Sequence, residues 1–145
     1  MNAYKKIFIA SDHAGYILKQ YLIKEFKELP WQDLGPSNED SVDYPDYAKK
    51  LCNEVIANPE NSTGILICGS GQGMAMTANK LQAIRAALCW SDEVAKLSRA
   101  HNDANVLCIG SRLINPNLAK TILATFLETP FEGGRHADRV KKIKG

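Results

Sequence analysis

The sequence holds no closely spaced thiol pair. Its four cysteines, Cys52, Cys68, Cys89 and Cys108, are separated by 16, 21 and 19 positions. Three of them sit inside apolar runs (LIC, ALC, VLC). Without a Cys-x-x-Cys pair a dithiol redox role lacks its partner sulfur. The pattern suits reduced thiols in a cytoplasmic protein rather than a secreted disulfide scaffold. Metal-ligand spacing is missing too. His13, His101 and His136 form no His-Glu-x-x-His and pair with no cysteine at zinc distances, so no metal is expected. No apolar stretch approaches the roughly 20 residues that span a bilayer. The first residues, MNAYKKIFIA, turn polar too soon for a signal peptide, and no membrane partner is expected. Neither sign of charge dominates: the formal net charge is +2, too small to point to nucleic acid. It is unevenly placed, however. Residues 131–145 carry Arg135, Arg139, Lys141, Lys142 and Lys144 against Glu132 and Asp138, which makes the tail basic and leaves the body close to neutral.

What is present is an ordinary globular composition, 45% hydrophobic and 23% charged over 145 residues. That is enough for one core without disulfides or metals. Strands are expected at Lys6–Ala10, Trp31–Leu34, Gly64–Cys68, Arg85–Trp90 and Val106–Gly110. ILIC, AALCW and VLCIG are nearly continuous apolar runs, as in parallel strands covered on both faces. Amphipathic helices lie between them. Leu18, Tyr21, Leu22, Phe26 and Leu29 share one face, with Pro30 as the stop. Ala48, Leu51, Cys52 and Val55 repeat the spacing after Pro45, which suits a first turn. Ser91 and Asn115 stand as N-caps, and Pro130 ends the last long helix. No linker, repeat or low-complexity segment interrupts the pattern. The expectation is a single α/β domain over residues 1–145: an open doubly wound sheet of about five parallel strands flanked by helices, Rossmann- or flavodoxin-like, with a basic C-terminal helix over residues 133–145.

In such sheets ligands bind beyond the carboxyl ends of the strands, so the residues that follow each strand are the site candidates. Asp12 and His13 follow the first. Cys68 closes the third and opens the loop Gly69-Ser70-Gly71-Gln72-Gly73, whose backbone N–H groups stand ahead of a helix and can cradle an anion. The same glycines also fit a tight turn needing positive φ. The loop lacks the Gly-Lys-Ser/Thr of a Walker loop, and Met74 stands where a dinucleotide fingerprint has its third small residue. Cys68 is either one more core thiol or, beside those amides, an activated one. Arg135 and Arg139, four apart, share a helical face and form either a phosphate fork or a solvated basic surface.

Taken together, DHAG, DYP, ICGSGQGM, ANK, IRAAL, LSRAHNDANVL, GSR and FEGGRHADRV resemble the ribose-5-phosphate isomerase B family, within a wider group of galactose- and allose-phosphate isomerases. The likeness runs from about Lys6 to Val140. It implies an aldose–ketose isomerase without cofactor, interconverting ribose 5-phosphate and ribulose 5-phosphate. By position, the resemblance makes Cys68 the base that moves a proton between C1 and C2. The loop from Gly69 to Gly73 becomes the enediolate cradle, and Ser70 a hydroxyl relay where many relatives have threonine. It makes His101 the ring-opening acid assisted by Asp12, and Asn102 a substrate amide. His13, Arg112, Arg135 and Arg139 fall around the sugar and its phosphate, with Tyr44 as a pocket wall. It further implies a homodimer, or a tetramer, with sites near the subunit interface. A preference for allose or galactose 6-phosphate, or a non-catalytic phosphosugar- or mononucleotide-binding role, remains the alternative reading of these residues.

Overall fold

Five short apolar segments pair side by side into one parallel sheet. The computed structural model describes residues 3–144; residues 1, 2 and 145 of the expected domain lie outside them. In chain order the elements are β1 (Lys6–Ser11), α1 (Tyr16–Glu25), β2 (Trp31–Asp33), α2 (Tyr44–Ala57), β3 (Ser62–Cys68) and α3 (Gln72–Ala78). They continue with β4 (Ala86–Leu88), α4 (Asp92–Ala100), β5 (Val106–Gly110), α5 (Pro116–Glu128) and α6 (Arg135–Lys141). The strand order is β2-β1-β3-β5-β4.

Alternation along the central strands builds two cores. Ile65 and Ile67 of β3 pack with Leu18 and Leu22 of α1 and with Ile122, Leu123 and Phe126 of α5. Leu66 and Cys68 face the other way, toward Leu51 and Val55 of α2 and Met74 and Ala78 of α3. Each fully buried aliphatic contributes about 1.5–3 kcal/mol. A one-residue slip of β3 would exchange the two faces, so the register is firmly held: Ser11 lies opposite Ile67, and Cys68 opposite Gly110.

Local rules placed the helix starts correctly. The Ser91 side chain accepts from the Val94 N–H, Asn115 accepts from Leu118, and Pro45 sits in the first turn of α2. Several expectations need correction. β4 covers only Ala86–Leu88 and is half-buried, because β5 takes the place between β3 and β4 and leaves β4 as a sheet edge. α1 stops at Glu25. Phe26 leaves helical geometry at φ −119 and ψ 46, although Phe26 and Leu29 still pack on the core. The basic helix is shorter than residues 133–145: Gly133 and Gly134, both at positive φ, precede it, and it ends at Lys141.

The sheet order fixes where a crevice opens. From β1 the chain moves to β2 on one side and later to β3 on the other. The connection after β1 leads to α1 on one face, and that after β3 leads to α3 on the opposite face. The carboxyl ends of β1 and β3 therefore diverge at a topological switch point.

Candidate functional site

At that switch point the structure gathers Asp12, Tyr44, Cys68, Gly69, Ser70, Gly73, Arg112 and Leu113 around a cavity of about 400 Å³. Asp12 follows β1 and is buried. Its N–H donates to the Ile67 carbonyl at 3.1 Å, and its Oδ1 accepts from the Gly15 N–H at 3.0 Å, which ties the carboxylate to the start of α1. Cys68 ends β3 at 5% exposure. The β5 end closes against it: the Ser111 N–H donates to the Cys68 carbonyl at 2.9 Å and the Arg112 N–H to the Gly69 carbonyl at 3.0 Å. The Arg112 side chain lies across Gly69, where an added Cβ would meet Nη1 at 3.1 Å.

The glycine loop meets the demands of a tight turn. Gly71 is the N-cap of α3 with φ 78, a conformation glycine alone adopts freely. An added Cβ there would also meet Leu88 Cδ1 at 2.5 Å and the Ile109 carbonyl carbon at 3.0 Å. Gly73 lets the Tyr44 ring in, where an added Cβ would collide with Cε1. The turn thus needs its glycines for packing. The first N–H groups of a helix have no partner inside it. Gln72 N–H turns to Ser70 Oγ at 3.3 Å, while Gly69 and Gly73 line the cavity.

The four thiols divide in two. Burial pushes Cys52 up to about 12 and Cys89 up to about 11, and raises Cys108 well above the ordinary thiol range. These three pack in the hydrophobic cores. Cys68 also packs in one of those cores but lines the cavity at the switch point.

Not every expected residue joins this group. Gly71 and Gln72 belong to the loop but do not line the cavity. His13 stands next to Asp12, and its Nδ1 accepts from the Val42 N–H at 3.3 Å. His101 and Asn102 lie at the other end of the sheet. They precede β5, whose first residue Val106 pairs with Gly64, whereas Cys68 pairs with Gly110. Four residues of strand put the two ends at least about 13 Å apart. Arg135 and Arg139, exposed on α6, lie with His101: the strap leading to α6 is held there by the Glu132 N–H donating to the Ala100 carbonyl at 3.0 Å.

Two residues that sequence spacing left unassigned complete this second group. His136 stacks on His101 with ring centroids 4.3 Å apart and planes 13° apart. Glu132 Oε1 lies 3.8 Å from His101 Nε2 and 3.6 Å from His136 Nε2. Burial holds the His136 imidazole below the ordinary histidine range, and the neighbouring His101 and Arg135 charges act in the same direction. The ligand atoms of His101, Glu132 and His136 lie within 4.8 Å of one another, the composition of a metal site. The spacing of the histidines did not foresee this grouping, and the neighbouring Arg135 adds positive charge beside it. Among the described residues no helix is long and apolar enough to cross a membrane.

Comparison with known proteins identifies the family. The family model described as Ribose/Galactose Isomerase matches residues 7–143. The probable ribose-5-phosphate isomerase B of Mycoplasma pneumoniae is 51% identical over 140 residues, covering 94% of this chain and 91% of that protein. The structure of ribose 5-phosphate isomerase B from Anaplasma phagocytophilum superposes with a TM-score of 0.93 at 48% identity, over 99% of both chains. That of ribose-5-phosphate isomerase B from Mycoplasma genitalium, with bound ribulose-5-phosphate, gives 0.91 at 43% identity, over 95% of this chain and 93% of that one. With nearly its whole length matched in sequence and in fold, the chain belongs to the ribose/galactose isomerase family.

Proposed function

We propose that the protein interconverts D-ribose 5-phosphate and D-ribulose 5-phosphate through ring opening and a cis-enediolate, with Cys68 as the base. The observation that carries the reading is the placement of one thiol, of the four, in a cavity floored by a glycine turn at the switch point of the sheet. The ribulose-5-phosphate bound by the Mycoplasma genitalium relative supports a five-carbon substrate.

The reaction divides into steps with separate demands. Ring opening transfers a proton to the ring oxygen while the C1 hydroxyl loses one; His101 is the acid and Asp12 assists at the hydroxyl. Cys68 then removes the C2 proton of the open aldose as thiolate and returns a proton to C1 as thiol. Negative charge passes to O1 and O2, where the amides of the Gly69–Gly73 loop stand ready. In other enzymes a single such donor is worth roughly 2.7–4 kcal/mol. Ser70 relays the proton between O1 and O2. Tyr44 walls the cavity, and Asn102 and His13 position the sugar. Arg112, Arg135 and Arg139 hold the phosphate, supplying binding energy remote from the reacting carbons. No cofactor is required by this scheme.

Cys68 and His101 lie at opposite ends of one chain's sheet, so a site that uses both takes them from two copies. A two-fold contact between identical chains does this twice at once. We therefore read the protein as a homodimer with each site completed by its partner. The direct test is Cys68→Ala. Turnover of ribose 5-phosphate is expected to fall by about 10³-fold or more with KM nearly unchanged, since a base acts in the transition state and adds little to ground-state binding. Undiminished turnover would remove Cys68 from the chemistry. Assaying allose 6-phosphate beside ribose 5-phosphate with the parent protein fixes the sugar length.

A further inference from the structure

His101 and Asn102 belong to no helix or strand; residues 101–105 link α4 to β5. Within this turn Asp103 adopts φ 49, a left-handed conformation that costs on the order of 1–3 kcal/mol and persists only where its surroundings enforce it. Two arginines supply that enforcement. Arg99, 8% exposed, donates from Nη1 to Asp103 Oδ1 at 2.8 Å and to the Ala104 carbonyl at 2.7 Å, and from Nε to the Thr129 carbonyl at 3.2 Å. Arg85 donates from Nε to the Asp103 carbonyl at 2.8 Å and from Nη2 to Oδ2 at 3.4 Å. Thr129 heads the strap that carries Glu132 and His136, the two residues that flank the His101 ring. One buried guanidinium therefore ties the helix end, the turn and the strap, the three segments that surround His101.

We propose that Arg99 and Asp103 are positioning residues for His101: their ion pair sets the 101–105 turn so that the imidazole meets the sugar ring oxygen in the orientation ring opening requires. The inference rests on His101 being the ring-opening acid, and neither Arg99 nor Asp103 touches substrate. Lysine in place of Arg99 keeps the charge. It cannot reach Asp103, Ala104 and Thr129 together, because it lacks the planar fork.

A residue that acts through His101 has a signature that a general packing residue lacks. Ribose 5-phosphate is cyclic and needs its ring opened. Ribulose 5-phosphate carries its phosphate on O5, has no free 5-hydroxyl with which to close a furanose, and meets the base already open. In D₂O the sulfur-bound proton exchanges with solvent, so each removal and return at C1 leaves deuterium in the ketose without any call on His101. For Arg99→Lys, isomerisation of ribose 5-phosphate is expected to fall about 10- to 100-fold, the range for a misplaced catalytic group. Deuterium exchange into ribulose 5-phosphate, followed by proton NMR, is expected to stay within about twofold of the parent. Asp103→Asn, which keeps an acceptor and tolerates the left-handed turn, is expected to show the same split more weakly, and it serves if Arg99→Lys does not fold. Parallel loss of both rates, or loss of neither, overturns the positioning role. His101→Ala is the control. If it fails to separate the two rates while Cys68→Ala abolishes both, the assignment of His101 as the acid is what fails.

Discussion

Glycine is the residue whose role here depends most on neighbours far away in sequence. Gly71 and Gly73 sit two apart in one loop, yet substitution at each meets a different obstacle. At Gly71 an alanine must adopt positive φ and press on the backbone at Ile109 and Gly110, neither of which can yield. At Gly73 the obstacle is the far edge of the Tyr44 ring, on a side chain that is 39% exposed and free to swing outward. Gly71→Ala is therefore expected to cost at least about 1–3 kcal/mol of stability from the backbone term alone, read as a lower urea midpoint. Gly73→Ala is expected to fold nearly normally but to raise KM, because Tyr44 leaves the cavity wall. Equal midpoints for the two variants would show that the loop, not its surroundings, sets the requirement. The glycine pattern was plain in the sequence, but its cause was not. The atoms that forbid side chains come from α2, β4 and β5, and a linear reading cannot place them. The cysteines teach the same lesson. The glycine loop after Cys68 set that thiol apart in the sequence but left core and activated readings open, and its place at the end of β3, lining the switch-point cavity, is what the sequence could not supply.

Elements were legible where their rules are local and obscure where the rule is set by topology. The caps at Ser91 and Asn115 and the proline in the first turn of α2 follow from hydrogen-bonding groups within three or four residues. The half-buried state of β4 does not. An AALCW run reads as a central strand until β5 claims that place. Nor does any local pattern announce that α1 buries a charge. Lys19 is 0% exposed, and its Nζ reaches Asp33 at 2.7 and 2.8 Å, joining α1 to the end of β2. Asp33 is 35% exposed at its side chain and also accepts from the Gly35 N–H at 2.9 Å. The two partners are therefore unequal. Asp33→Ala strands an ammonium in the interior and is expected to cost about 3–5 kcal/mol. Lys19→Met fills the same space with apolar atoms and leaves a carboxylate that still has water and an amide, so a cost of about 1 kcal/mol or less is expected. Urea unfolding of both variants checks the ranking, and a larger loss for Lys19→Met would reverse it.

At the scale of the whole molecule the decisive fact is separation. The sequence lays out the groups that the family resemblance calls for, and the strand-end rule suggests that several of them meet at one edge of the sheet. The chain instead places Asp12, Tyr44, Cys68, Ser70 and Arg112 at the carboxyl edge, and His101, Glu132, His136 and α6 near the amino ends of the strands. Which edge a loop joins depends on whether it leaves or enters a strand: LSRAHNDANVL enters β5, and ICGSGQGM leaves β3. If two copies share each site, inactive variants with lesions on opposite edges must rescue one another. In a mixed dimer of Cys68→Ala and Arg135→Ala chains, one site inherits both lesions. The other takes its cysteine from the second chain and its arginine from the first, and is intact. Random assortment makes half the dimers mixed with one good site of two, so about a quarter of parent activity is expected from an equal mixture refolded together. Separately refolded and then briefly mixed chains should show almost none. Activity that stays at the level of the two variants alone would mean that Arg135 serves the chain that carries it. The basic tail would then have to reach the distant edge of its own sheet, which the anchoring of Glu132 to the end of α4 does not permit without refolding of the strap.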